Sequence, residues 1–392
     1  MNLRPLSIGY MPLLDAAPLI VAKELGFAAE EGLAFDLVPA PSWSALRDWL
    51  ELGTVDAAHM LAPVPVAGAL GLGGSGAALS AVSVLSINGT VIGVSRSIAH
   101  RMREDGHGFD FSDASAAGRA LIAASRPPLR IGVPFPFSMH SELVFYWLTA
   151  LGLPAPQNLA LRTIPPPLMA EAIEADEIDA FCVGEPWGSK AVENGVGELL
   201  LPGAAIWAFA PEKILAVRDD RIERDRDTIL RLVRSVVRAN EWLGDPVSRL
   251  MAADLLARRE WLDLPGEILD RAMSGRMTIR PEGDTRSVPA LIEFQRGAAT
   301  FPWRSQGEWI ARRLAGRVGL NATDAARRGR ARFRSDIYRD AMADTAADLP
   351  GASVKIEGAV AQDTAVASRF GSLILPRDAF FDGSTFEPLL ND

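Results

Sequence analysis

The sequence predicts an α/β protein of two lobes, each a mainly parallel sheet flanked by helices, with a ligand cleft between the lobes. A chain of 392 residues is too long for one ordinary hydrophobic core, and strand and helix patterns alternate along its first half. The third observation is an internal repeat, in which the distance from Gly9 to Asp56 equals that from Gly132 to Asp179. The matching stretches are "SIGY" with "VDAAHMLAP" and "RIGV" with "IDAFCVGEP".

The predicted elements follow from apolar runs bounded by glycine, proline or serine. In the first lobe they are a strand over 5–10, a helix over 17–26 ended by Gly26, a strand over 33–41, a helix over 44–53 with Ser44 as N-cap and Gly53 beyond its end, and a strand over 55–60. In the second lobe they are a strand over 129–135, a helix over 139–153, a strand over 159–164, a helix over 166–177 and a strand over 178–183.

Two interrupted strand patterns, 83–95 and 207–219, predict the crossovers between the lobes. Lobe I would then comprise 1–90 and 214–392, and lobe II 91–213. Helical stretches follow residue 219 and are expected to pack on the first lobe. The region 312–342 is predicted as an Arg- and Ala-rich helix and 349–392 as an extended tail.

Composition excludes several functions. The formal net charge of −9 argues against nucleic acid as a direct ligand, and the single cysteine, Cys182, excludes an intramolecular disulfide. The four histidines lack metal-site spacing, and no nucleophile elbow, phosphate-binding loop or paired catalytic carboxylates are present. We therefore expect no catalytic residue, cofactor, metal or membrane insertion. The N-terminus lacks the pattern of a secretory signal, so we expect a cytoplasmic location, or a periplasmic one if a preceding segment has been removed.

Ligands of open α/β sheets bind beyond the carboxyl ends of the strands, which directs attention to four side chains. Lys213 is one of four lysines in a chain with 40 basic residues. Its compact ammonium suits a small anion, although a solvated surface lysine is the ordinary alternative. Trp43 could wall a planar ligand or pack on its own helix, and His140 could donate to an anion or cap a helix. Thr90 offers one hydroxyl beside a crossover.

Two further residues lie near these positions. His59 follows a core strand, and we expect it to support the ligand-binding residues without touching the ligand. Glu185 is interpreted as a structural cap or ion-pair partner, because an anion site would not place a carboxylate against its ligand.

Several stretches resemble the nitrate/bicarbonate-binding proteins of ABC transporters, which have two-lobed folds of the periplasmic-binding-protein type II. They are "GYMPLLDAAPLIVAKELGFAAEEGL", "SWSALRDWLELGTVDAAHMLAPVPVA", "IPPPLMAEAIEADEIDAFCVGEPW" and "APEKILAVR". The resemblance implies a site for a small planar anion at Trp43, Thr90, His140 and Lys213. It also implies nitrate or nitrite, because bicarbonate binders carry an acid where this chain has Lys213. Thr90 replaces the glutamine of the transporter proteins, so a donor is missing or replaced by water.

A cytoplasmic branch of the same family is similar to this chain and serves as a nitrate/nitrite sensor. The resemblance then implies a basic RNA-binding antitermination regulator as partner, released when the anion binds. The alternatives are a substrate-binding subunit partnered by an ABC permease and a binding protein for a larger ligand such as a sulfonate. An enzyme of the pyrimidine-synthase type is disfavoured by the lone cysteine. We expect Lys213→Glu to abolish nitrate binding without unfolding the protein.

Overall fold

The computed structural model describes residues 3–74 and 76–389. Its strands are β1 (Arg4–Tyr10), β2 (Leu33–Pro39), β3 (Ala57–Leu61), β4 (Leu79–Asn88), β5 (Thr90–Ser95), β6 (Leu129–Val133), β7 (Leu159–Thr163), β8 (Ala180–Gly184), β9 (Gly197–Pro202), β10 (Pro211–Arg218), β11 (Arg276–Thr278), β12 (Thr285–Ser287), β13 (Ile292–Glu293), β14 (Thr364–Ala365) and β15 (Ile374–Leu375).

The helices surround the two main sheets. They are α1 (Ala17–Glu24), α2 (Phe27–Glu30), α3 (Trp43–Leu52), α4 (Pro63–Ala69), α5 (Arg96–Glu104), α6 (Ala114–Ala124), α7 (Met139–Ala150), α8 (Met169–Glu174), α9 (Trp187–Glu193), α10 (Asp219–Arg224), α11 (Arg226–Trp242), α12 (Pro246–Leu256), α13 (Gly266–Ser274), α14 (Arg304–Val318), α15 (Ala322–Ala331) and α16 (Ser335–Ala341). No helix of the described part of the chain combines the length and the apolar character needed to cross a membrane.

The two main sheets share one plan. The six-stranded sheet has the order β13-β4-β10-β3-β1-β2, and the five-stranded sheet has the order β7-β6-β8-β5-β9. In the first, β1 is parallel to β2 and β3, and β10 is antiparallel to β3 and β4. In the second, β6 is parallel to β7 and β8, and β5 is antiparallel to β8 and β9. The predicted two-lobed α/β architecture is confirmed, and the sequence repeat corresponds to this shared topology.

The sheets are joined where strands were predicted to cross. β4 belongs to the first sheet and β5 to the second, and Gly89 alone separates them. Asn88 and Gly89 both have left-handed backbone angles, with φ of 58° and 94°. The amide of Asn88 donates to Ala208 O at 2.9 Å and accepts from Ala210 N at 3.2 Å, so it ties the outgoing crossover to the returning one.

Two local predictions were wrong. The N-cap of α3 is Ser42, whose extended backbone lets its hydroxyl accept from Ala45 N at 3.2 Å, whereas Ser44 already lies within the helix. The region 312–342 is divided among three helices, because Gly319 ends α14 with φ of 73° and Asn321 caps the start of α15.

The tail beyond residue 349 packs into the core. Phe380 is buried and its ring lies 4.8 Å from that of Trp207, centroid to centroid. The ammonium of Lys355 pairs with the carboxylates of Glu357 and Asp378, both buried. The tail is therefore part of the folded domain through residue 389.

Candidate functional site

A group of buried polar side chains lies where elements of the two sheets meet. We call it the Lys213 cluster and define it as Asp15, Trp43, His59, His140, Glu212 and Lys213. Each of these residues is at most 2% exposed. The first sheet and its connections supply all of them except His140, which comes from α7 beside the second sheet.

Lys213 is the centre of the cluster. Its ammonium lies 2.8 Å from Asp15 Oδ2 and 2.8 Å from Glu212 Oε1. It also lies 5.5 Å from the centre of the Trp43 ring, a favourable position for a cation over an aromatic face. An ammonium has three hydrogens, so two carboxylate contacts leave one donor for another acceptor.

Trp43 and His59 form one wall of the cluster. Trp43 is the first residue of α3, and its ring centroid lies 5.6 Å from that of His59 on β3. His59 Nε2 lies 3.0 Å from Asp15 Oδ1, and its Nδ1 accepts from Met11 N at 3.4 Å. The contact between His59 and Asp15 is not aligned as a hydrogen bond, and Asp15 in turn contacts Lys213. The indole Nε1 of Trp43 is buried without a hydrogen-bond partner among the described residues.

His140 reaches the cluster from the first turn of α7. Ser138, the N-cap of that helix, accepts from Ser141 N at 3.2 Å, so His140 does not serve as the cap. Its Nδ1 lies 3.2 Å from Glu212 Oε1, but neither ring nitrogen has a well-aligned hydrogen bond within the described chain.

Glu212 is aimed at the cluster by a β-bulge. Pro211 pairs with Ile87 and Lys213 with the adjacent Ser86, so Glu212 is the extra residue of β10. A bulge places neighbouring side chains on one side, where a regular strand would alternate them. Glu212 and Lys213 consequently lie in the same buried space. Glu212 Oε2 has no hydrogen-bond partner in the part of the chain that the structure describes.

Thr90 lies beside the cluster. It pairs with Gly184 across β5 and β8, and a Cβ built on Gly184 would lie 3.8 Å from both Asp15 Oδ2 and His140 Nε2. Thr90 and Gly184 therefore face the same side of the sheet. The hydroxyl of Thr90 packs against Gly203 and is buried with no partner among the residues described.

Glu185 serves the backbone near the cluster. Its carboxylate accepts from Ser189 N at 3.3 Å at the start of α9. Its own carbonyl accepts from Leu14 N at 3.1 Å, and the indole of Trp187 donates to Pro12 O at 3.2 Å. These bonds join the loop that carries Asp15 to the end of β8.

The charges of the cluster are set by burial and by Lys213. Burial raises the pKa of Asp15, but the charge of Lys213, helped by the adjacent His59 imidazole, outweighs burial and holds that pKa below its usual range. Burial lowers the pKa of both histidines, and for His140 the Lys213 charge lowers it further. Burial would also lower the pKa of Lys213, but Asp15 and Glu212 raise it. Burial raises the pKa of Glu212 to about 7, against the opposing effect of Lys213.

Sequence reasoning missed Asp15 and Glu212. The sequence did carry a signal for each of them. Asp15 is an acid within the apolar run "LLDAAPL", and Glu212 directly precedes the candidate lysine in "PEK". Within the described residues, no three His, Cys, Asp or Glu side chains are placed to hold a metal ion. The cluster can instead offer one ammonium, one indole N–H and one imidazole to a small ligand.

The chain matches the model of the NMT1-like family over residues 1–257. A curated relative named nitrate/nitrite binding protein NrtA, from Synechocystis sp., is 26% identical over 97% of this chain and 82% of its own length. The nitrate import ATP-binding protein NrtC of the same organism is 33% identical over 79% of this chain, which spans only 45% of that relative.

Solved structures show the same architecture. The crystal structure of periplasmic nitrate-binding protein NrtA from Synechocystis PCC 6803 superposes with a TM-score of 0.84 at 25% identity, covering 99% of this chain and 96% of that one. The alkanesulfonate-binding protein SsuA from Xanthomonas axonopodis shares the fold alone, with a TM-score of 0.57 at 16% identity over 83% of this chain and 98% of that one. On the family match, which spans well over half of its length, the chain belongs to the NMT1-like family.

Proposed function

We propose that this protein is a receptor, not an enzyme, that binds nitrate or nitrite at the Lys213 cluster and Thr90. One observation carries the proposal. The fully buried ammonium of Lys213 lies beside Trp43, and the carboxylate of Glu212 contacts both Lys213 and His140. Trp43 and His140 carry buried ring nitrogens that have no hydrogen-bond partner among the described residues. Buried polar atoms normally have partners, so such a group indicates a place for a ligand.

The donors suit a ligand that only accepts hydrogen bonds. The ammonium and the indole N–H can only donate, and the imidazole and the Thr90 hydroxyl can donate as well. Nitrate and nitrite carry oxygens with lone pairs and no proton. A micromolar site requires about 8 kcal/mol, and charge-assisted hydrogen bonds of roughly 1.5–3 kcal/mol each can supply it. The names of the NrtA relatives support the same ligand.

Access to the cluster requires movement. Every member is closed off from solvent, so the anion can enter only if the lobes separate. The left-handed pair Asn88–Gly89 lies at one crossover, and residues 203–210 form the other between β9 and β10. We propose that these crossovers act as the hinge, since hinges are short segments at element ends.

Calorimetric titration of the dialysed protein with nitrate, nitrite and bicarbonate tests the ligand. We expect saturable binding of nitrate or nitrite and none of bicarbonate. Heat from bicarbonate alone would contradict the assignment, because Lys213 would then not select against it.

His140→Ala is expected to weaken nitrate or nitrite binding about two- to tenfold, since it removes one neutral hydrogen bond worth roughly 0.5–1.5 kcal/mol. The measurement is calorimetric titration at pH 7. His100→Ala on the exposed face of α5 is the matched control and should bind as the parent protein does. An unchanged affinity in His140→Ala would mean that His140 only fills space.

Two roles can follow from the same pocket. The relatives' names, which include nitrate import and bicarbonate transport proteins, favour a substrate-binding subunit that delivers the anion to an ABC permease. The sensor role, with a cytoplasmic location and a basic RNA-binding antitermination regulator as partner, rests on the resemblance alone. A complex with such a regulator that dissociates when nitrate is added would support the sensor role, and stimulation of a permease's ATPase would support transport.

A further inference from the structure

The Lys213 cluster holds more negative than positive charge for a site that receives an anion. Asp15 and Glu212 both contact Lys213, which is the only lysine or arginine that the described residues bring to the cluster. If both acids were ionised, the cluster would be net negative before any anion arrived. Adding an anion to a buried site that is already negative is costly. The low dielectric of the interior strengthens the repulsion between the charges, and the anion loses its hydration shell.

From this geometry we propose that Glu212 is itself a ligand of the anion, acting as a neutral acid whose O–H donates to an anion oxygen, so that above neutral pH a proton enters the site with the anion. The inference rests on the proposed function, since it concerns the same pocket. It adds a specificity-determining residue that neither the sequence nor the resemblance indicated.

The position of Glu212 fits a direct contact with the anion. Its Oε1 touches two of the proposed ligand-binding residues, at 2.8 Å from Lys213 Nζ and 3.2 Å from His140 Nδ1. Its other oxygen, Oε2, is buried without a partner in the described chain and is the atom that would carry the proton. A protonated carboxyl is a donor and an ionised one is not, so the proton converts Glu212 from a repelling group into a binding one.

Within the Lys213 cluster, Glu212 is the group that titrates near neutral pH. Burial also raises the pKa of Glu185 to about 7, but that carboxylate faces Ser189 N at the start of α9 and lies outside the cluster. Lys213 on its own strand stays charged and Asp15 from the turn after β1 stays ionised, because their mutual attraction shifts the pKa of each away from neutrality. His140 from α7 and His59 from β3 stay neutral, since burial lowers the pKa of both. Cys182 from β8 stays a thiol, since burial and Glu212 raise its pKa.

The proton linkage has a definite sign. Glu212 has a pKa of about 7 in the unliganded protein, and a bound anion raises that pKa further. Binding is then unaffected well below pH 7 and weakens above it, because a proton must be taken up first. Affinity should fall roughly 20-fold between pH 6.5 and 8.5, whereas nitrate itself stays ionised throughout.

The test is calorimetric titration at pH 6.5 and 8.5 with nitrate and, separately, with nitrite, repeated at pH 8.5 in buffers of different ionisation enthalpy. For the parent protein we expect the loss of affinity just given and uptake of close to one proton per anion at pH 8.5. Glu212→Gln keeps a neutral donor of the same shape and should bind with nearly the same affinity at both pH values, with no proton uptake.

The matched control is Glu357→Gln. Glu357 is also a buried glutamate paired with a lysine, Lys355, but it belongs to the tail and not to the Lys213 cluster. This variant should keep the pH dependence of the parent. Binding by the parent that is independent of pH and takes up no proton would overturn this inference and leave the proposed function standing. Retained pH dependence in Glu212→Gln would place the proton elsewhere and also overturn it. If neither nitrate nor nitrite bound at pH 6.5, the proposed function itself would be overturned.

Discussion

Lys213→Gln is expected to reduce nitrate or nitrite affinity by at least ~30-fold, because truncating one partner of a buried charge pair costs about 2–5 kcal/mol. Lys213 supplies the fixed positive charge of its cluster, and the ammonium also balances Asp15 and Glu212 at 2.8 Å each. Without it the cluster is negative whether or not Glu212 is protonated, so an anion meets repulsion in place of attraction.

Calorimetric titration at pH 6.5 measures the effect, and circular dichroism verifies folding. Lys23→Gln is the matched control, since Lys23 is exposed on α1; it should bind as the parent does. A folded Lys213→Gln protein that titrates normally would refute the proposed site.

The charge reversal Lys213→Glu is a poorer test than the sequence alone indicated. It would bury a third carboxylate beside Asp15 and Glu212, all closed off from solvent. Uncompensated buried charge destabilises by several kcal/mol or forces protonation. We therefore expect Lys213→Glu to lose fold stability as well as binding, in contrast to the expectation from the sequence.

The fold could be predicted because its signals are local. Glycine after a helix and serine or proline before one mark element ends, and Gly53 and the prolines before α8 behave as expected. The equal spacing of Gly9–Asp56 and Gly132–Asp179 also has a structural basis. Asp56 accepts from Ser7 N and Asp179 from Arg130 N, so each acid binds the neighbouring parallel strand at the same place.

The site was predicted less completely, since its acids depend on contacts between distant segments. Glu212 enters the cluster because β10 bulges against β4, and a bulge is a property of the pairing, not of "PEKILAV" alone. Asp15 becomes a partner of Lys213 only when β1 and β10 lie in one sheet. Trp43, Thr90, His140 and Lys213 were named from loop position and resemblance, and their role in binding stays a prediction.

The tail gives the second large effect, this time on stability. Phe380 is 3% exposed and contacts Trp207, Tyr146 and Trp309, with ring centroids 4.8, 5.3 and 6.0 Å away. Removing a buried phenylalanine side chain costs about 3–5 kcal/mol through lost contacts and the cavity left behind. We expect Phe380→Ala to lower the free energy of unfolding by that amount, provided that unfolding remains two-state.

Chemical denaturation measures this loss, as a shift of the midpoint at constant slope. Phe370→Ala, in the same tail but 57% exposed, is the matched control and should change stability by less than about 0.5 kcal/mol. A loss of stability in Phe380→Ala as small as that expected of the control would show that Phe380 contributes nothing to the core. The stability of the tail also bears on the binding site, because the tail is hydrogen-bonded to the returning crossover, residues 203–210. Ala208 N donates to Ala379 O, and Phe381 N donates to Ile206 O. The tail thereby fastens the returning crossover, which leads directly into the strand that carries Glu212 and Lys213.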